Sequence, residues 1–225
     1  HADAVRFIHG KPPVIVLYEN VPGLLSDKTG AYGCFLAALA GEGFPLEPEG
    51  GRWTDAGCVF GPKRAIAWRV LDAQYFQLAQ RRRRVFVVAS ARDGFDPATV
   101  LFEWDGMRRD SPPSRGSREV APTIPSRSSG GGGFGTDFDI DGGLICMAHG
   151  QGGAGETPFA VRRLTVEECE FLQGFPRGYS KIPWRKKPAS DCPDGPRYKA
   201  LGNSWAVPCV AWIGQRINNT LRIAA

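Results

Sequence analysis

Four places in the 225-residue sequence gather side chains that could do chemistry. Glu19 and Asn20 follow directly on the apolar run 14–18, so a carboxyl and an amide stand where a strand would end. Gln80 precedes four consecutive arginines, 81–84, which run straight into a second apolar stretch, 85–89. Arg163-Leu164-Thr165 leads through Glu168 to Leu172-Gln173-Gly174-Phe175-Pro176, and Tyr198-Lys199-Ala200-Leu201-Gly202-Asn203-Ser204 comes before Pro208 and Val210. A carboxyl can carry a proton to a reacting group. A guanidinium can stabilise an oxygen on which charge develops. Each place also has a plain structural reading: a polar strand end, a solvated cationic face, a helix cap, and a turn with an N-cap.

Other chemistries find less support. The six cysteines, at 34, 58, 146, 169, 192 and 209, include no Cys-x2-Cys pair, and His1, His9 and His149 are scattered, so no metal centre is expected. Gly152-Gly153-x-Gly155 lacks the strand before it and the Lys-Ser/Thr after it that a phosphate loop needs. The apolar run 14–18, like every other in the sequence, is far too short to cross a bilayer. The chain starts at His1 with no secretory signal, so we expect reduced cysteines, a cytoplasmic setting and a start partway through a longer protein.

The elements that must position these residues follow from pattern. The run 14–18 is apolar on both faces, as a central strand of a parallel sheet requires, and open α/β sheets place ligands at the carboxyl ends of such strands. Spacing of Tyr32, Phe35, Leu36 and Leu39 predicts a helix over 29–39, closed by Gly41. Strands are predicted at 68–71 and 85–89, the second preceded by arginines whose alternation would put Arg82 and Arg84 on one side, and the order strand, helix, strand, strand suggests part of an α/β sheet with an antiparallel or hairpin edge. From Asp93 to about Pro158 the chain turns rich in Gly, Ser, Pro and Asp, which suggests a loop-rich second region. Thr165 and Glu168 form a capping box, and a last helix runs from about 205 or 208 to 221 with Pro208 in its first turn. Of 28 basic residues 21 are Arg, and the formal charge is +5, which fits a nucleic-acid partner without requiring one.

Taken together and in this order, the four motifs resemble the later motifs of the cytosine-C5 DNA methyltransferases, including bacterial restriction-modification and phage-borne members. The resemblance spans almost the whole chain. It implies an α/β fold, a partial Rossmann-like S-adenosyl-L-methionine-dependent methyltransferase fold with a small loop-rich target-recognition domain. Residues 1–92 would be the carboxyl-terminal part of the catalytic domain, 93–161 the recognition region, and 162–225 the returning helices. The implied partner is double-stranded DNA, with the target cytosine flipped from the stack.

The same resemblance assigns roles. Glu19 would meet N3 and the exocyclic amine of the cytosine, carrying a proton as a cysteine thiolate adds to C6. Arg84 would lie nearest O2, Arg82 would support it or touch the DNA backbone, and Asn20 would fix the loop. Asn203 and Ser204 would line the S-adenosylmethionine pocket, and Arg108, Arg109, Arg115, Arg118 and Arg127 suit phosphate contacts. The family's nucleophile lies in a Pro-Cys motif upstream of Glu-Asn-Val, whereas none of the 18 residues before Glu19 is Cys. Pro208-Cys209 falls in the last motif and reads as a packing residue. The expectation is therefore the carboxyl-terminal half of an enzyme, inactive alone and partnered by a missing amino-terminal half. The alternative is a DNA-binding remnant without chemistry. An apolar strand at 14–18 without its neighbours would leave an edge prone to aggregation.

Overall fold

The computed structural model describes residues 2–103, 144–147 and 160–223. In chain order the elements are α1 (Ala2–Ile8), β1 (Ile15–Asn20), α2 (Ala31–Ala40), β2 (Ala56–Phe60), β3 (Ala65–Asp72), β4 (Arg83–Ser90), α3 (Pro97–Leu101), β5 (Leu144–Met147), β6 (Ala160–Arg163), α4 (Val166–Leu172), α5 (Asp194–Asn203) and α6 (Val207–Ile223). They fall into two compact units. The first holds described residues 2–72, 83–103 and 210–223, and the second 73–82, 144–147 and 160–209. No described helix is long and apolar enough to cross a membrane.

In the first unit the sheet order is β1-β4-β3-β2, with every neighbour antiparallel. β1 and β3 therefore run the same way, with β4 reversed between them. β4 is buried from Val85 to Ser90, the signature of a strand covered on both faces. Val85, Val87 and Ala89 pack with Ile66 and Trp68 of β3 and with Tyr32, Leu36 and Ala40 of α2. Each large apolar side chain buried this way contributes about 1.5–3 kcal/mol. On the opposite face lie Phe86 and Val88 of β4, and α3 packs on β3 and β4 with Val100 and Leu101 buried. Asp96 caps α3 by accepting from the N–H groups of Ala98 and Thr99. Arg216 of α6 closes the other end, donating to the carbonyls of Val100, Phe102 and Thr99.

Two features of this unit differ from expectation. The run 14–18 does not sit between parallel strands: among the described residues β1 pairs with β4 alone, and all six of its residues are half-buried. The more apolar β4 takes the interior position instead. Glu19 and Asn20 close β1 at its carboxyl end, as expected, opposite Phe86 and Val85. The strand expected at 68–71 extends over Ala65–Asp72, and the hairpin edge is made by β2, in a glycine-rich stretch read as a loop. Gly57 of β2 lies opposite Trp68, whose ring packs edge-on against Trp53 and Tyr32 at centroid distances of 5.6 and 6.1 Å. A side chain at Gly57 would collide with that indole.

The second unit is organised by α4. Its capping box is formed as expected: the Thr165 hydroxyl accepts from the Glu168 N–H at 3.2 Å, and the Glu168 carboxylate accepts from the Thr165 N–H at 2.7 Å. Leu164, Val166 and Cys169 pack with Leu201 of α5. α5 was not foreseen, because Gly195, Pro196 and Gly202 interrupt its pattern. Consequently Asn203 is the last residue of a helix and Ser204 its C-cap, not an N-cap. Pro208 is the second residue of α6, inside the first turn where it is tolerated.

Candidate functional site

Glu19 and Arg84 meet across the β1–β4 ladder. Glu19 faces Phe86, two residues from Arg84 on the same side of β4, so the two side chains are diagonal cross-strand neighbours. Arg84 Nε lies 3.0 Å from Glu19 Oε1, and the side chains are 14% and 13% exposed. Arg84 Nη1 donates to the carbonyl of Arg83 at 2.7 Å. Nη2 has no partner among the described residues. Burial pushes the Arg84 guanidinium below its ordinary value, and the charge of Glu19 and its hydrogen bond pull it back. Each charge thus makes the other tolerable in a half-dry position.

Asn20 secures the end of β1. Its Nδ2 donates to the Tyr18 hydroxyl at 2.5 Å, and its Oδ1 accepts from the Val21 N–H at 2.8 Å. The Tyr18 ring lies 4.5 Å from that of Phe35 on α2, so the strand end is tied to the core. This fits a residue that fixes the backbone beside Glu19.

The arginine run divides between the units. Exposure alternates along it, with Arg81 and Arg83 exposed, Arg82 buried and Arg84 half-buried. β4 begins only at Arg83, however, so Arg82 precedes the strand. Within the second unit Arg82 Nη2 donates to the carbonyls of Gly202 at 3.0 Å and Ser204 at 2.6 Å. Gln173 Nε2 donates to the Leu201 carbonyl at 2.7 Å, and the Gln173 carbonyl accepts from the Val207 N–H at 2.9 Å. The Ser204 hydroxyl stands 2.8 Å from Gln173 Oε1 and 2.7 Å from the Leu201 carbonyl, and gives its single proton to one of them. Gly174, at φ +80°, is required beside Gln173, since a Cβ there would lie 2.7 Å from Pro208 Cδ. Three of the four sequence motifs are therefore one hydrogen-bonded node.

In that node Ser204 is committed to internal partners, while Asn203 is exposed at the end of α5. Of the two residues expected at the cofactor, Asn203 is the one open to a polar ligand and Ser204 holds its turn. Arg108, Arg109, Arg115, Arg118 and Arg127 lie outside the described residues, as does most of 93–161; α3, near its start, packs in the first unit. Cys209 is buried in the first turn of α6, and burial pushes the Cys169 thiol up to about 12. Neither has the character of an attacking thiolate. No cluster of potential metal ligands occurs among the described residues.

A site the sequence did not announce surrounds Glu170. Its carboxylate is fully buried and accepts from the Gly178 N–H at 2.5 Å, the Ser180 N–H at 2.8 Å and the Ser180 hydroxyl at 2.5 Å. Arg197 Nη2 lies 3.4 Å away and also pairs with Glu167 at 3.0 Å. Burial pushes Glu170 up, but the hydrogen bonds from Ser180 and Gly178 and the charge of Arg197 together hold it below the usual carboxylate value. The only signal in the sequence was a Glu on the inward side of α4.

Comparison with known proteins accords with this geometry. The family described as C-5 cytosine-specific DNA methylase matches residues 1–104 and 99–219. A protein of Escherichia phage P1 named DNA N-6-adenine-methyltransferase is 34% identical, covering 93% of this chain and 46% of its own length. The type II methyltransferase M2.BsuMI of Bacillus subtilis is 26% identical, covering 93% and 50%. The chain thus spans about half the length of the curated relatives it matches. Among solved structures, the Dnmt2 methyltransferase of S. pombe superposes with a TM-score of 0.55 at 15% identity, covering 92% of this chain and 65% of that one. The methyltransferase EhMeth of Entamoeba histolytica gives 0.51 at 11%, covering 92% and 63%. These likenesses establish the α/β methyltransferase fold.

Proposed function

Because the chain belongs to the C-5 cytosine-specific DNA methylase family, we propose that it is the base-holding half of a DNA (cytosine-5-)-methyltransferase acting on duplex DNA. The observation that carries this is the Glu19–Arg84 pair at the end of β1. A flipped cytosine offers a ring nitrogen and an amine for a carboxyl and an oxygen for a guanidinium. Arg84 Nη2 is the group available for that oxygen, and Glu19 can hold a proton toward N3 on one carboxyl oxygen while the other accepts from Arg84. Charge developing on the ring during nucleophilic addition would fall on these two groups. Thymine presents a carbonyl where cytosine has its amine, so the same carboxyl and guanidinium discriminate between them.

S-adenosyl-L-methionine, the family's methyl donor, supplies an electrophilic methyl group when bound. Asn203 would touch it, with Ser204, Gln173 and Arg82 fixing that turn. Arg82 is thereby a positioning residue rather than a base contact. We assign phosphate contacts to Arg108, Arg109, Arg115, Arg118 and Arg127 within a recognition region at 93–161.

The nucleophilic cysteine would come from a complementary amino-terminal half. The half-length match to relatives and the edge of β1 not paired by any described residue support this. Its setting would be the cytoplasm of a bacterial or phage-infected cell, in restriction-modification or phage DNA methylation.

The name of the phage P1 relative favours a second reading, methylation of adenine. That name is the relative's own, and the family whose description matches nearly the whole chain is cytosine-specific. The test is methyl transfer from labelled S-adenosylmethionine to DNA by the chain joined to an upstream half, followed by nucleoside analysis. Label in 5-methyldeoxycytidine is expected. Label in N6-methyldeoxyadenosine would support the second reading, and no label from a folded, DNA-bound protein would leave a binding remnant.

A further inference from the structure

The loop between α4 and α5 carries Arg177, Lys181, Arg185, Lys186 and Lys187 and no acidic residue over 174–188. Those five charges equal the formal +5 of the entire chain, so the excess that composition spreads over 225 residues is concentrated in fifteen. All five cations are exposed, and none has an ion-pair partner among the described residues. Exposed Tyr179 and Ile182 and half-buried Trp184 lie between them.

The loop is built rather than draped. The Trp184 N–H donates to the Lys187 carbonyl at 3.2 Å, and the Lys187 N–H to the Trp184 carbonyl at 2.9 Å, closing a two-residue hairpin. Its tip is Arg185 and Lys186, at φ +44° and +67°, a left-handed conformation in which Asn or Gly is the ordinary choice. Two cations occupy it instead. The Arg185 guanidinium rests over the Trp184 ring, 5.5 Å from its centroid. The Phe175 and Tyr179 rings stack at 4.9 Å, and Gly178 and Ser180 are held by the buried Glu170 carboxylate. Charges presented on a fixed frame lose little freedom on meeting a ligand.

We propose that this basic hairpin binds the phosphate backbone of duplex DNA, separate from the recognition region and independent of base sequence. The inference deepens the proposed function, since it rests on duplex DNA being the substrate. Arg185 brings a planar fork suited to two phosphate oxygens, and the lysines bring point charges.

The test is the salt dependence of binding by the chain, joined to an upstream half and folded, to several unrelated duplexes. The variant Arg185→Gln/Lys186→Gln/Lys187→Gln should weaken binding equally on all of them. It should also reduce the slope of log K against log salt by about 0.9 for each phosphate the hairpin no longer neutralises. The variant Arg185→Lys/Lys186→Arg/Lys187→Arg keeps the charge and should keep the slope, which separates loss of charge from damage to the turn. Arg177→Gln/Lys181→Gln, outside the hairpin, should give a further reduction. An unchanged slope in the neutral triple variant, with DNA still bound, overturns this proposal and leaves the DNA substrate standing. A chain that binds no duplex overturns both. Loss of binding to anionic lipid vesicles with no change on DNA would assign the hairpin to a membrane surface and overturn it equally.

Discussion

Arg84 and Arg82 are two residues apart and both are largely withdrawn from water, yet they are held in different ways. Arg84 faces one carboxylate from another strand and keeps a nitrogen without a described partner. Arg82 is 3% exposed and donates to main-chain carbonyls at the end of α5. An ion pair between two side chains can open and exchange its partner for a ligand. A guanidinium that satisfies helix-end carbonyls cannot leave without exposing them. One arginine run therefore supplies both a reactive position and a fastening.

Substitutions can break or sharpen that contrast. The largest effect is expected in the second unit, at Glu170. Glu170→Gln leaves Arg197 its pairs with Glu167 and Asp194 but turns an amide toward the donors of Gly178 and Ser180, and should cost about 2–4 kcal/mol in thermal or denaturant unfolding. The folded-state value of Glu170 is depressed, so its contribution is complete above the ordinary carboxylate range and disappears as pH falls through the lowered value. The Gln variant should lack that acid-side loss. Arg82→Ala should cost about 2–3 kcal/mol by stranding two carbonyls. A stability equal to that of the unaltered protein would make Arg82 an exchangeable site residue like Arg84.

Smaller effects are expected elsewhere. The Tyr32 hydroxyl is buried without a partner among the described residues, and burial pushes it above its ordinary value. Tyr32→Phe should raise stability by about 1 kcal/mol, and destabilisation would reveal a partner for the hydroxyl. Arg83 pairs with Asp55 at 2.7 Å in the open, 52% and 68% exposed. Arg83→Ala should change stability by less than about 0.5 kcal/mol. A larger change would mean that exposure does not separate the members of the run.

What the sequence revealed was local. The Thr165–Glu168 cap, the apolar 85–89 strand and the first-turn place of Pro208 are each decided within a few residues, and all three form. Missed features depend on distant partners or on weak patterns. β2 is five residues beginning Ala56-Gly57-Cys58, too small and too mixed to signal a strand until Trp68 lies across it. α5 contains a proline and two glycines. The antiparallel setting of β1 depends on which strand becomes its neighbour, and the partners of Arg82 lie 120 and 122 residues away. The motif order named Glu19 and Arg84, but only the cross-strand register explains why they meet.

The central claim is that Glu19 acts on the base while the Arg82 node only holds the fold. It is tested most directly by the single-turnover rate of cytosine methylation for Glu19→Gln, in the chain joined to an upstream half, with duplex affinity and unfolding midpoint measured alongside. The account predicts a rate about 100-fold lower or more, the scale of a lost general acid, with affinity and midpoint nearly unchanged. A rate equal to that of the unaltered protein would contradict it.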